Sequence, residues 1–308
     1  MQDRNGLKLL FIVNPVSGGK GKTDWEAAIR EYFKDTPHNI FFYLLTGSED
    51  VVSIRHHIER VAPDRVVAVG GDGTVKMLAG LLKETTIPLA IIPAGSANGM
   101  AKELKIPLDV DAALRVVTEG ECKKLDVIRI NEEQICIHLS DVGLNAMLVK
   151  YFENSKSRGM IGYGRAVFKV LWQKQSMRVT IKTDTEEVRR KAYMVVIANA
   201  QTYGTGAIIN PGGKVDDGLF EVVVVRRLNL LELMKMLITH QPFHPDRIEV
   251  FRTKNLEMNL KRKAYFQVDG EYLGMVTCVK ARILPQIIHV MLPTEKVPEL
   301  ARNFNHSV

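Results

Sequence analysis

Residues 65–75, Arg-Val-Val-Ala-Val-Gly-Gly-Asp-Gly-Thr-Val, constrain the fold more than any other stretch of the chain. An apolar run that reads as a buried strand stops at Gly70-Gly71-Asp72-Gly73-Thr74, and a helical pattern follows at once. A glycine turn between a strand and a helix N-terminus gathers backbone N–H groups at the positive end of the helix dipole. It also lacks the Cβ atoms that would keep a phosphate away. Asp72 repels a bare phosphate, so the loop makes chemical sense beside a metal ion or a proton in transfer.

Strand and helix signals alternate on either side of this loop. Strands are expected at 7–13, 40–45, 65–69 and 87–92, and helices at 49–61, 75–82, 99–104 and 110–119. Thr23 and Glu26 have capping-box spacing for a further helix whose face carries Trp25, Ile29 and Phe33. Such alternation predicts a doubly wound parallel α/β sheet, with ligands beyond the carboxyl ends of its strands. The loops at 14–22, 46–48, 70–74 and 93–98 then share one crevice. After Lys124 the pattern changes to strands at 125–130, 134–139, 177–183, 192–199, 219–225, 256–260, 265–268 and 278–284. Helical patterns interrupt only at 163–173 and 229–239, so this half reads as an antiparallel β-sandwich. The two halves join without a linker, which predicts a cleft between them.

Composition narrows the setting. With 46% hydrophobic and 25% charged residues the chain can build an ordinary core. A net charge of +7 suits anionic membranes, nucleotides or nucleic acid. Cys122, Cys136 and Cys278 are odd in number and lack metal spacing, so they read as reduced thiols. The eight histidines likewise show no metal spacing. The first apolar run is broken too early by Asn14-Pro15 to be a signal peptide, and no run reaches the roughly 18 residues that span a bilayer. Membrane contact is therefore expected to be peripheral. An amphipathic segment from Lys150 to Lys174, with Ile161, Phe168 and Trp172 beside a basic face, suits either that contact or packing on a sheet.

Four loops carry candidate chemistry. Asn14–Thr23 is glycine-rich and basic, but Val16 stands where a Walker loop needs its first glycine. Gly71-Asp72-Gly73 fails the dinucleotide fingerprint because Lys76 replaces its last glycine. Pro93-Ala94-Gly95-Ser96-Ala97-Asn98 reads as a turn with polar side chains at a strand end. Asn210–Leu219 includes Asp216-Asp217-Gly218, which is either a solvated turn or an oxygen-rich seat for a hard cation. Asp269-Gly270-Glu271 is either a hairpin turn with exposed acids or the carrier of a general base.

Together VNPVSGGKGK, VAVGGDGTV, IIPAGSANGMA, YGTGAIINPGGKVDDGLFEVVVV and VDGE resemble, in order, the soluble diacylglycerol kinase family of bacterial lipid kinases, whose catalytic domain is shared with sphingosine kinases. The resemblance spans nearly the whole chain. It implies an α/β ATP-binding domain at 1–125 and a β-sandwich lipid-substrate domain at 126–285, with 286–308 packing back on the first. It implies an ATP-dependent kinase acting on a hydroxyl of diacylglycerol or a related lipid. ATP would lie over Asn14, Thr46, Gly71, Asp72, Gly73, Thr74 and Ser96. Asp72 would organise Mg²⁺ around the phosphates, Glu271 would take the alcohol proton, and Lys214, Asp217 and Leu219 would hold a structural Mg²⁺. The protein would be cytoplasmic, would meet its lipid at a membrane surface, and would not bind nucleic acid; a homodimer is allowed. Lys76, Met77 and Gly99 depart from the common bacterial pattern. The Gly95-Ser96-Ala97-Asn98 run is closer to sphingosine kinases, which makes a sphingoid long-chain base an alternative acceptor. A NAD-kinase-like enzyme with a soluble substrate and a non-enzymatic nucleotide sensor complete the alternatives.

Overall fold

The computed structural model describes residues 6–17, 24–153, 176–203, 208–227 and 244–294. The helices expected at 163–173 and 229–239, the Gly18–Thr23 part of the first loop and Gly204–Gly206 lie outside them. The chain divides into two compact units. One comprises Met1–Leu82, Thr86–Lys123 and His289–Val308, the other Lys83–Thr85 and Lys124–Ile288.

The first unit alternates β1 (Lys8–Val13), α1 (Trp25–Phe33), β2 (Asn39–Leu44), α2 (Asp50–Val61), β3 (Arg65–Gly70), α3 (Asp72–Leu82), β4 (Leu89–Pro93), α4 (Gly99–Glu103) and α5 (Val110–Glu119). Its strands pair in parallel in the order β4-β3-β1-β2. β1 and β3 are buried along almost their whole length, which is why both read as unbroken apolar runs. Phe11 of β1 anchors the core on one face, its ring 5.9 Å from Phe33 of α1 and 5.5 Å from Phe42 of β2. Helix α1 starts one residue later than the capping-box spacing suggested. Asp24 is its cap and accepts the Ala27 N–H, while Glu26 pairs with Arg30 one turn on. Helix α3 starts three residues earlier than expected, because Thr74 and Val75 already donate to the Gly71 carbonyl. Gly73 and Thr74 are thus in the first helical turn.

The second unit holds most of β5 (Glu121–Ile130), then β6 (Gln134–Cys136), β7 (Leu139–Gly143), α6 (Leu144–Glu153), β8 (Met177–Lys182), β9 (Glu187–Ala192), β10 (Met194–Ala198), β11 (Phe220–Val225), β12 (Ile248–Thr253), β13 (Asn255–Val268) and β14 (Glu271–Leu292). Antiparallel pairing runs β12-β11-β10-β7-β13-β14, with β8 on β13 and β9 on β8. Ile181, Val195, Ile197, Val222, Met258 and Phe266 belong to one core. Two expected strands, 256–260 and 265–268, are one long strand that continues through Lys261-Arg262-Lys263. The single strand expected at 134–139 is split into β6 and β7. β14 leaves this unit at its end, where Val290 pairs in parallel with Leu89 of β4.

Replacing Phe11 with Ala should lower the unfolding free energy of the first unit by about 3–5 kcal/mol. Urea denaturation followed by Trp25 fluorescence, on a helix packed against that core, measures it.

Candidate active site

In the first unit the chain moves outward from β1 to β2 on one side and from β3 to β4 on the other, which makes the β1–β3 gap a topological switch point. Asn14 and Thr74 meet there. The Asn14 backbone N–H donates to Val69 O at 2.9 Å and its Nδ2 lies 3.4 Å from Thr74 Oγ1. Its Oδ1 accepts the Val16 N–H and closes the turn that follows β1.

Asp72 joins this loop to the next one. Its Oδ2 accepts the Gly99 N–H at 3.0 Å and its Oδ1 the Met100 N–H at 2.9 Å. These are leading N–H groups of α4, which have no acceptor within their own helix. A carboxylate at that end is favoured by the dipole as well. Asn98, the N-cap of α4 by position, makes no side-chain cap bond and sits at φ 51°. Its amide instead holds both the N–H and the carbonyl of Gly95 at 2.8 Å, closing the 95–98 turn. Gly71 and Gly95 touch so closely that a Cβ on Gly95 would fall 2.5 Å from Gly71 Cα. Only glycine fits there. Ser96 is exposed on this turn, and Gly73 opens to free space. Of the three departures from the family pattern, Gly99 supplies a backbone donor to Asp72, Lys76 is buried, and Met77 is half-buried.

Thr46 is set by Asp50. Leu45, just before it, donates to Val13 O next to Asn14. Asp50 Oδ1 takes the Thr46 N–H at 2.9 Å and the Tyr43 hydroxyl at 2.9 Å, and its Oδ2 takes the Gly47 N–H at 2.8 Å. Burial pushes the Asp50 carboxyl up, but these donors outweigh it and hold the group below its ordinary value.

In the second unit Asp269 and Gly270 form the two-residue turn between β13 and β14, with φ of 51° and 85°. Positive φ at both positions is the hairpin geometry that Asp-Gly favours. The Asp269 carboxylate accepts the backbone N–H groups of Ile137, His138 and Leu139 at 3.0–3.2 Å and the Cys136 thiol at 3.3 Å. Those donors are diverted from any ladder, which is why β6 and β7 are separate strands. On the other side, Gln267 Oε1 takes the Gly270 N–H at 2.7 Å while its Nε2 donates to Asp141. Asp141 is fully buried and also receives Asn145 Nδ2 at 2.6 Å and the Ala146 N–H at 2.8 Å. Burial pushes its carboxyl up to about 6, against the pull of those donors and the Tyr203 hydroxyl. Glu271 follows the turn, exposed, paired across the ladder with Val268.

The Asn210–Leu219 loop is fixed by side chains from distant parts of the sequence. Asp126, 1% exposed, takes the Gly218 N–H at 2.6 Å and the Gln286 N–H at 2.8 Å. Asn210 donates to Glu221 Oε2 at 2.7 Å. Asp217 Oδ1 accepts the Leu219 N–H, and its Oδ2 pairs with Arg252 at 2.6 Å. Arg252 Nε reaches Glu221 Oε1 at 3.0 Å. The negative charge that a Mg²⁺ at Lys214, Asp217 and Leu219 would use is therefore matched by a guanidinium. Among the described residues no three Asp, Glu, His or Cys side chains cluster as a metal group.

The structure thus brings Asn14, Gly71, Asp72 and Thr74 together with the loop of Ser96, places Thr46 beside them, and gathers Asp217 and Leu219 in one loop. Sequence reading missed Asp141, Gln267, Asp126, Asp50 and Arg252. Each acts through partners three to 160 residues away, and no local motif marks them.

These two units, a glycine-lined parallel sheet and a β-sandwich with a braced Asp-Gly-Glu turn, each match a known domain. Residues 8–130 match the diacylglycerol kinase catalytic domain, and residues 140–292 match the YegS C-terminal NAD kinase beta sandwich-like domain. The chain belongs to this family of diacylglycerol kinases and bacterial lipid kinases. It is 25% identical to the diacylglycerol kinase of Bacillus subtilis over 94% of its own length and 98% of that protein. It is 27% identical to a probable YegS-like lipid kinase of Chromohalobacter salexigens, covering 77% of this chain and 79% of that one. A crystal structure of a putative diacylglycerol kinase from Bacillus anthracis shares the fold with a TM-score of 0.75 at 22% identity, over 94% and 98% of the two chains.

Gly95→Ala should force the 71 and 95 loops apart and lower the unfolding free energy by about 1–3 kcal/mol, read as a fall in Tm. Gly73→Ala, which meets open space, should leave Tm within about 2 °C. A second expectation concerns pH. The folded chain holds the Asp141 proton more tightly than the unfolded chain, so this group's contribution to stability falls as pH rises from 3.8 to about 6. Urea denaturation across that window should show this part of the slope vanish in Asp141→Asn; an unchanged slope refutes the assignment.

Proposed function

We propose that the protein transfers the γ-phosphoryl group of ATP to a hydroxyl of diacylglycerol or a closely related lipid at a membrane surface. The observation that carries this reading is the Asp72 bridge at the switch point. It holds two glycine turns and the N-termini of α3 and α4 in one fixed array of backbone donors. Phosphoryl transfer needs positioning and charge neutralisation more than covalent help, and that array supplies both to a triphosphate. ATP enters as its Mg²⁺ complex, so that ion belongs to the substrate. Asn14, Thr74 and Ser96 offer side-chain hydrogen bonds to the nucleotide, and Thr46 a further one.

Glu271 takes the acceptor's hydroxyl proton as the oxygen attacks phosphorus. A carboxylate is a weak base towards an alcohol, so the proton moves only as the P–O bond forms and the hydroxyl becomes acidic. Rigidity of the turn then matters, and Asp269 and Gln267 provide it from two sides.

Purified protein given γ-labelled ATP and diacylglycerol in mixed micelles should place label in a chloroform-extractable product. Glu271→Gln should lower kcat by about 10²–10⁴-fold with nucleotide affinity unchanged. Undiminished turnover by the variant overturns the base assignment. Label confined to water-soluble product overturns the lipid acceptor, and a long-chain base in a parallel reaction identifies the sphingoid alternative.

A further inference from the structure

One face of the second unit carries a charge pattern that phosphoryl transfer does not use. Arg178 of β8 and Lys191 of β9 stand directly opposite each other on the ladder. Like charges so placed destabilise a sheet, and nothing in the fold requires them. Nearby, the pairing of β13 with β14 slips in register between Asn259 and Ala264. Lys261, Arg262 and Lys263 lie in that slip, and all three are exposed. These five cations line one cavity of about 800 Å³. Its apolar wall includes Leu144, Met147, Met177 and Met275, and among the described residues no acidic side chain lines it. Met275 is 45% exposed and Leu273, on the same strand, 39%.

We propose that this cavity, rimmed by Arg178, Lys191, Lys261, Arg262 and Lys263, is a docking surface for an anionic phospholipid bilayer. The inference rests on the lipid-kinase reading for its purpose but not for its physics. Long basic side chains bury their stems along apolar surface and hold their charges at headgroup level. Unbranched thioethers adapt to disordered acyl chains. Together they give the two signals, charge and apolar contact, that peripheral membrane binding needs. A single-stranded nucleic acid would call for stacking platforms. Among the described residues Tyr265 is the one aromatic ring in the wall, and it is half-buried with its centroid 6.0 Å from Tyr272. The geometry also ties docking to chemistry within this unit. Tyr265 pairs with Met275, and Val268 pairs with Glu271, on the same hairpin. A membrane held at the cavity rim lies about four strand residues, roughly 13 Å, from the base.

The test is co-sedimentation of the full-length protein with vesicles, without nucleotide. Vesicles of phosphatidylcholine with 30 mol % phosphatidylglycerol, roughly a bacterial-like charge, are compared with pure phosphatidylcholine. The wild type should prefer the anionic vesicles and lose that preference as salt rises. Each exposed cation removed should weaken binding about fivefold, so Lys261→Ala/Arg262→Ala/Lys263→Ala together should weaken it roughly a hundredfold. Lys191→Ala, which relieves the like-charged pair, should weaken binding about fivefold while raising Tm. Lipid kinase activity in uncharged detergent micelles should be unchanged in all these variants. Equal binding by the wild type to both vesicle types, or equal binding by wild type and triple variant, overturns the docking surface. A triple variant that loses affinity for single-stranded RNA but not for vesicles overturns it in favour of nucleic acid. If the variants lose vesicle binding while no lipid is phosphorylated by any form, the docking surface stands and the kinase reading fails.

Discussion

The candidate nucleotide site depends on one carboxylate. Asp72 stands in the first turn of α3, yet its oxygens serve the first N–H groups of α4, 27 and 28 residues on. Without it α4 would begin with bare donors, and the turn at Gly95 would have no tether to the turn at Gly71. The bond also decides how close the two turns come, and that closeness excludes a Cβ at position 95. Glycine content in these loops is thus a consequence of the bridge as much as of any phosphate that approaches them. The bridge leaves the outward lone pairs of Asp72 as the part of the group that can face a ligand.

The second unit solves a similar problem with a longer chain of groups. A residue beside a two-residue turn ordinarily swings with the turn's tip. Here Asp269 gathers three successive backbone donors from one segment, while Gln267 grips Gly270 and is itself gripped by buried Asp141. Asp141 also takes the Ala146 N–H at the start of α6, so helix and turn share one anchor. The Asn210–Leu219 loop shows the opposite economy. Arg252 pairs with Asp217 and Glu221 together and ties the loop to β12.

Much of this was legible in the residues. Continuous apolar runs stopped by Asn14-Pro15, Gly70-Gly71 and Pro93-Ala94-Gly95 gave β1, β3 and β4, and Asp-Gly gave the β13–β14 turn, because each feature is written within a few neighbouring positions. β9, Glu187–Ala192, was invisible because its inward face is Val188, Arg190 and Ala192, and the arginine breaks the apolar alternation. The central charges of β13 hid its continuity for the same reason. α6 follows β7 with no turn residue other than Gly143, and its cap, Asp141, lies inside the preceding strand. The family motifs named Glu271, Asp217 and Asp72, but not their supports. Gln267, Asp126 and Arg252 are ordinary strand residues until the fold brings distant segments to them.

The pairing of Val290 with Leu89 bears on how the chain is made. A ribosome delivers β1 to β4 early, but Val290, which pairs with the outer edge of β4, follows about 200 residues later. During that interval β4 is an open, fully apolar edge, the kind of surface on which nascent chains stick to one another. The glycine turns of the candidate nucleotide site sit on this same unfinished sheet. Completion of the first unit therefore waits for residue 290, and release before it leaves that edge uncovered.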